Sequence, residues 1–266
     1  MPYRVGVPGI DDRAHHRTAG VASTCRPSIY DCRQPPVALS TFVDAHLSRI
    51  RDARVMDAGA GAGPYVPVVA ARAAELVAVD LATIRLSQID ATEAHQVCGD
   101  VQALPFRNGS FDVVMAMHML YHVPDIAAAA REFRRVLRDG GVLYALTNST
   151  SAQAEFAELI RRNGCDPSAG GDFGALRFSN ENGVELLRAG FDHISVVELG
   201  PSRLVVTDPE QLVDEVERNR YLLEPGLRPG VAWRAFVHDV RVDAGRLIAR
   251  DGDFRIGERH GLFTCW

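Results

Sequence analysis

Three acidic residues and a run of glycines carry the chemistry that this chain can do. Val55-Met56-Asp57-Ala58 leads into Gly59-Ala60-Gly61-Ala62-Gly63. A short apolar strand that feeds closely spaced glycines and then a helix start is a cradle for a nucleotide-like cofactor. Glycine lets backbone and ligand approach closely, and free N–H groups at the helix start point at the ligand. The spacing separates cofactor types. A dinucleotide site uses Gly-x-Gly-x-x-Gly, with a pyrophosphate on the helix end. Here the pattern is Gly-x-Gly-x-Gly, and Pro64 stands where the third dinucleotide glycine would be. Asp57 would repel a phosphate and suits a cationic ligand.

Two further acids follow the same logic. Asp80 ends the apolar run Leu76-Val77-Ala78-Val79, and Asp100 ends Gln96-Val97-Cys98-Gly99. Asp80 can accept from both hydroxyls of a ribose. Asp100 can take an adenine amino group, with the Val101 N–H beside it. Each aspartate alone is as well explained as a turn former or helix cap, and the glycines alone as a tight packed turn. Three acids at the ends of three successive strands favour a cofactor.

The elements that must position these residues alternate. Short apolar strands are expected at 54–58, 76–80, 96–100, 111–117 and 142–146, separated by helical stretches at 65–75, 81–91 and about 126–137. Strands interleaved with helices imply βαβ units around a parallel sheet. Continuously apolar strands fit a sheet covered on both faces. An amphipathic helix is expected over 36–50, after a loop-rich arm at 1–35. Beyond residue 150 the pattern loosens. Helices are expected at 151–163, stopped by Gly164, and at 179–189, ended by Gly190. A strand at 193–199 precedes a helix opened by a Thr207-Asp208-Pro209-Glu210 capping box. Another helix runs from Trp233, and Gly261–Cys265 forms a terminal strand.

Across residues 50–150 the chain resembles the class I S-adenosylmethionine-dependent methyltransferases, and most of all a broad bacterial group that includes the ubiquinone-biosynthesis type. The likeness runs from Asp57 through Asp100-Val101-Gln102-Ala103-Leu104-Pro105-Phe106, Ser110–Val114 and Met117-His118-Met119-Leu120-Tyr121-His122-Val123-Pro124-Asp125 to Arg131–Gly141. It departs at Ala58 and Ala60, where larger residues are common, and at Asp139, where proline is. The resemblance implies an α/β, Rossmann-like fold with a seven-stranded, mostly parallel sheet and an antiparallel edge hairpin. It implies S-adenosylmethionine as cofactor and no metal. Asp57, Gly59, Ala60 and Gly61 would hold its methionine end, Asp80 its ribose, and Asp100 with Val101 its adenine; Leu81 and Met117 complete the expected contacts.

Methyl transfer is an in-line displacement at a sulfonium, so positioning the acceptor and excluding water do most of the work. A hydroxyl acceptor also needs a base. His122 is the first candidate, with His118 and Tyr121 as alternatives; an amine that binds neutral needs no strong base. The plain alternative for these histidines is structural contact beside the cofactor.

Composition removes rival classes. All 29 basic residues are arginine, so neither a P-loop nor a Schiff-base enzyme can be built. The formal charge of −5, with basic residues scattered, disfavours nucleic acid as a partner. Five cysteines without a Cys-x-x-Cys pair fit reduced thiols rather than a disulfide framework or zinc ribbon. No apolar run suits a membrane span, and the first residues lack the apolar core of a secretory leader, so a cytoplasmic location is expected.

The expected organisation is an arm and helix over 1–50 on the substrate side, a cofactor-binding core over 51–200, a helical insertion over 201–252 and a terminal core strand over 253–266. Residues 1–35 and 200–235 are expected to close as a lid over the acceptor. The function expected is methylation of a small molecule in bacterial quinone or specialised-metabolite biosynthesis, by a monomer or homodimer with no membrane partner. An RNA methyltransferase, a non-catalytic cofactor-binding regulator and an NAD-linked oxidoreductase are the rivals.

Overall fold

The computed structural model describes residues 28–36, 38–169 and 177–266, leaving aside the side chains of residues 200 and 201. Cys25 and most of the expected lid arm therefore lie outside the described residues.

Eight strands are present: β1 (Arg33–Gln34), β2 (Arg54–Ala58), β3 (Glu75–Asp80), β4 (His95–Cys98), β5 (Phe111–Met117), β6 (Leu137–Asn148), β7 (Ile194–Val206) and β8 (Phe254–Cys265). Their order in the sheet is β1-β7-β8-β6-β5-β2-β3-β4. The β2–β3, β2–β5, β3–β4 and β5–β6 pairs are parallel. The β6–β8 and β1–β7 pairs are antiparallel. The expected α/β sheet is thus present, with one strand more than the seven expected. The extra strand is the two-residue β1, too short to carry a periodic signal.

The helices are α1 (Leu39–His46), α2 (Val66–Ala70), α3 (Thr83–Leu86), α4 (Ile126–Val136), α5 (Ala154–Arg162), α6 (Gly183–Leu187), α7 (Pro209–Arg218), α8 (Arg220–Leu223) and α9 (Trp233–Asp251). Several are shorter than their apolar spacing suggests, because turns take the remaining residues. β6 starts at Leu137, earlier than the strand expected at 142–146, so Asp139-Gly140-Gly141 lies within it. The cap of α7 is Asp208, whose carboxylate accepts from Glu210 N at 3.0 Å, and not Thr207. No helix of the described residues is long and apolar enough to cross a membrane.

The chain forms two compact units. One comprises residues 37–149, 177–199 and 260–266. Here β2, β3 and β5 are almost wholly buried, as strands covered on both faces must be. Phe111, Phe133, Phe178 and Phe263 are among its fully buried side chains.

The other unit comprises residues 1–36, 150–176 and 200–259. Its apolar core joins Ile29, Phe156, Leu159 and Ile160 to Leu212, Val216, Trp233, Phe236 and Val240. So the helices after residue 200 bury their faces on one another and on α5. Two buried acids are satisfied inside this unit. Glu258 accepts from Arg33 Nε at 2.6 Å, Arg33 Nη2 at 2.8 Å and Ser202 Oγ at 3.0 Å. Glu215 accepts from Tyr30 Oη at 3.1 Å and Asn219 Nδ2 at 2.9 Å. Cys165 Sγ donates to the Leu223 carbonyl at 3.1 Å, and burial pushes its thiol up to about 11. Cys32, Cys98, Cys165 and Cys265 are free thiols.

The two units divide the chain differently from the expected boundaries. α1 belongs with the sheet-bearing unit and not with the arm. Of the stretch expected within the cofactor core, Phe156, Leu159, Ile160 and Cys165 share the core of the late helices. The reason is the amphipathic face of α5, which meets α9.

Gly190 follows the end of α6, and its φ is not positive. Its role is close approach: a Cβ there would lie 2.3 Å from the Ala130 carbonyl oxygen. Gly245 differs, sitting inside α9 with nothing within 4 Å of a Cβ. Gly190→Ala should therefore destabilise by ~1–3 kcal/mol through overpacking, and Gly245→Ala should stabilise by ~0.5–1 kcal/mol. Thermal unfolding of the two variants checks this, with melting temperatures moving in opposite directions.

Candidate functional site

The glycine turn after β2 is stitched to the end of β3. The Gly59 and Ala60 N–H groups both donate to the Val79 carbonyl, at 2.8 and 3.0 Å. Gly61 N–H donates to Asp80 Oδ2 at 2.9 Å, and Ala82 N–H to Asp80 Oδ1 at 2.8 Å. Gly59 and Gly61 sit at φ of +69° and +58°, a region that disfavours any residue with a Cβ. A Cβ on Gly59 would also lie 2.8 Å from the Met119 side chain. At Gly61 a Cβ would meet only an Arg85 guanidinium nitrogen, at 3.7 Å, so the turn is open there.

Asp57 lies beneath this turn and is only 2% exposed. Burial and the nearby Asp80 carboxylate push its carboxyl up to about 7. A buried carboxyl held near neutrality is primed to ionise when a cation arrives. Asp80 keeps further lone pairs beside the two N–H bonds that it accepts, so it can still receive a ligand hydroxyl. The next residue, Leu81, is 69% exposed, and Ile84 is 75% exposed. Two apolar side chains in water next to Asp80 suit the face of an apolar ring.

Asp100 is more committed. Its carboxylate accepts from Gln102 N at 2.8 Å and from Gln102 Nε2 at 3.0 and 3.1 Å. This is the turn-forming role weighed against adenine binding. Val101 is buried beside it.

Met117 closes β5 and is buried. His118 follows at a φ of +54°, its N–H donating to the Leu146 carbonyl at 2.8 Å. His122 is half-buried at the end of a helical turn over Leu120–His122, its ring 4.4 Å from that of Tyr121. The Tyr121 hydroxyl is buried with no hydrogen-bond partner among the described residues. Burial and the neighbouring Tyr65 push its pKa well up, so it stays a donor.

The structure thus brings Asp57, Gly59, Ala60, Gly61 and Asp80 together at the carboxyl ends of β2 and β3. Met119 joins Met117 and His118 to that turn, while Asp100 stands one strand further out, past the end of β4. The Tyr121 orphan hydroxyl, the open Gly61 turn and the buried Asp57 carboxyl fit a ligand with a cationic end and hydroxyl groups. Sequence reasoning missed that Tyr65 lies near Tyr121, because nothing in the spacing of the two tyrosines announces it.

Residues 56–145 match the family described as a methyltransferase domain. Residues 56–145 therefore carry a methyltransferase domain, set on the α/β sheet described above. A ubiquinone biosynthesis O-methyltransferase of Xanthomonas oryzae pv. oryzae is 38% identical over 132 residues, which are 47% of this chain and 54% of that protein. A demethylmenaquinone methyltransferase of a Mycobacterium species is 36% identical over 108 residues, 41% of this chain and 47% of that protein. The chain therefore spans about half the length of the curated relatives that it matches. Among solved structures, the YcgJ protein of Bacillus subtilis superposes with a TM-score of 0.54 at 17% identity, covering 85% of this chain and 96% of that one.

The state of Asp57 gives a pH prediction. Its folded pKa lies above that of an unfolded aspartate, so the folded state binds the extra proton between about pH 4 and 7. This group's contribution to stability should fall as pH rises through that window and then level off. Urea unfolding of the ligand-free protein at pH 5 and pH 8 should show this slope, and Asp57→Asn should flatten it. An unchanged slope in Asp57→Asn would place the effect elsewhere.

Proposed function

We propose that this protein transfers a methyl group from S-adenosylmethionine to a small hydroxylated aromatic acceptor in bacterial quinone or specialised-metabolite biosynthesis. The observation that carries this reading is the open glycine turn clamped by Asp80 and Val79 over the buried Asp57 carboxyl. The relatives named for ubiquinone and demethylmenaquinone support the acceptor class.

In this reading Asp57, with the backbone at Gly59, Ala60 and Gly61, receives the cationic methionine end. Asp80 accepts from the ribose hydroxyls, and Leu81 lies along the adenine. Asp100 and Val101 meet the adenine edge, and Met117 supports the loop that faces the sulfur. When bound, the cofactor supplies an electrophilic methyl carbon on a sulfonium. The residues at the carboxyl ends of β5 and β6 hold the acceptor against it and keep water out. His122, the sequence's first candidate for a base, stands past the end of β5. We take the protein to work in the cytoplasm on a small molecule, without nucleic acid or membrane as partner.

Methyl transfer followed by mass spectrometry, with a panel of alkylated catechols, tests the proposal. Methylated catechol is the expected product. A protein that binds the cofactor and methylates none of the panel would overturn the proposed acceptor class.

The two acids should separate in cofactor affinity. Asp80→Ala removes the clamp on Gly61 as well as a ribose contact. Hydrogen bonds to charged groups are worth ~1.5–3 kcal/mol each, so affinity should fall at least ~10-fold. Asp100→Ala should cost less, since Gln102 already occupies that carboxylate. Calorimetry with S-adenosylhomocysteine checks the order; a larger loss in Asp100→Ala would contradict it.

A further inference from the structure

The buried polar residues of the sheet-bearing unit are Asp57, His118, Thr147, Asn148, Ser149 and Ser179, among the described residues. Asp57 and His118 to Ser149 stand at or just past the carboxyl ends of β2, β5 and β6. Burying polar groups is costly unless they are used. Asp57 serves the glycine turn. The others lie further along the sheet, past the end of β5, at the end of β6 and in the segment after Arg177.

At their centre is His260. It opens the inner half of β8 and stands opposite Asn148 in the antiparallel register with β6. Its Nδ1 lies 2.8 Å from Asn148 Oδ1. The His118 ring meets it edge-on, with centroids 5.5 Å apart. Beyond Asn148, Ser149 Oγ donates to Glu181 Oε1 at 2.5 Å. The Asn180 backbone N–H donates to the Asn148 carbonyl at 3.2 Å. The Asn180 side-chain oxygen is buried with no hydrogen-bond partner among the described residues, and it lies against Gly261, next to His260. His118, through its ring, and Arg259, next to it in the chain, are titratable neighbours of His260.

The amide oxygen of Asn148 accepts only. A bond to it puts the proton of a neutral imidazole on Nδ1 and leaves Nε2 basic. A histidine held in one tautomer by a neighbouring acceptor is the arrangement a general base requires. The place also fits. If the cofactor occupies the ends of β2, β3 and β4, the acceptor must stand on the other side of the 118–122 loop. That is over the ends of β5 and β6 and the start of β8's inner half. Gly59 touches Met119, Met119 adjoins His118, and His118 meets His260. The buried Asn180 oxygen is an acceptor suited to a ligand hydroxyl.

We propose that His260, held by Asn148, takes the proton from the acceptor's hydroxyl as its oxygen attacks the methyl carbon. The inference rests on the proposed O-methylation. In the step, the acceptor oxygen–methyl bond forms and the sulfur–methyl bond breaks, leaving the neutral thioether. The hydroxyl proton moves to His260 Nε2 and then to solvent. Asn148 is a positioning residue and does not touch the acceptor.

The test uses the full chain. With S-adenosylhomocysteine bound, long-range proton–nitrogen spectra read the imidazole tautomer of His260. The Nδ1–H form is expected, and Asn148→Ala should release it to a mixture. In methyl transfer to a 4-alkylcatechol, His260→Ala and His260→Gln should lower kcat ~100-fold or more. Their S-adenosylhomocysteine affinity should stay within threefold, which shows that they fold. Asn148→Asp places a carboxylate beside Nδ1–H, favours the imidazolium and should move the acid limb of kcat/KM up by about one pH unit. A His260→Ala rate within threefold of wild type, an Nε2–H tautomer, or an unmoved acid limb in Asn148→Asp would overturn the inference. Absence of catechol methylation by the wild type would instead overturn the proposed function.

Discussion

The structure around the site depends on how the turn after β2 is tied to the end of β3. Two consecutive N–H groups converge on the Val79 carbonyl, and a third reaches the Asp80 carboxylate. Such a turn needs left-handed backbone at Gly59 and Gly61. It also needs no side chain where Met119 closes in. The tie holds the turn open towards the end of the sheet, and it orders Asp80, Ala82 and the exposed Leu81 around the same point. A parallel sheet supplies the frame, since β5, β2 and β3 end side by side.

Where polarity is buried separates the two compact units. In the sheet-bearing unit buried polar groups collect at the carboxyl ends of strands, and the Tyr121 hydroxyl and Asn180 side-chain oxygen are buried with no hydrogen-bond partner among the described residues. That is the mark of a place kept for something else. In the other unit the buried acids Glu215 and Glu258 are bonded to Tyr30, Asn219, Arg33 and Ser202. Satisfied groups of this kind serve the packing. The contrast explains why chemistry is assigned to one unit while the other is described by its core alone.

Much of this was legible in the sequence, for physical reasons. The strands β2, β3 and β5 are buried on both faces, so their apolar runs are continuous and easy to see. The acids at strand ends and the glycine spacing mark the turn, because few other residues tolerate those positions. The rest depends on contacts between distant parts of the chain. β1 is two residues long and exists only through its pairing with β7. Gly190 reads as a helix stop, yet it is required by the carbonyl of Ala130, 60 positions earlier. α5 reads as part of the core until its apolar face is seen against α9. His260 carries no local signal. Its meaning comes from the β6–β8 register that sets it across from Asn148.

The central claim is that the turn over Asp57 is built for a cofactor with a cationic end rather than for a pyrophosphate. Isothermal calorimetry of the full chain with S-adenosylmethionine and with NAD tests it most directly. The account predicts saturable binding of S-adenosylmethionine and none of NAD at the same concentrations. Micromolar binding of NAD with no binding of S-adenosylmethionine would contradict it.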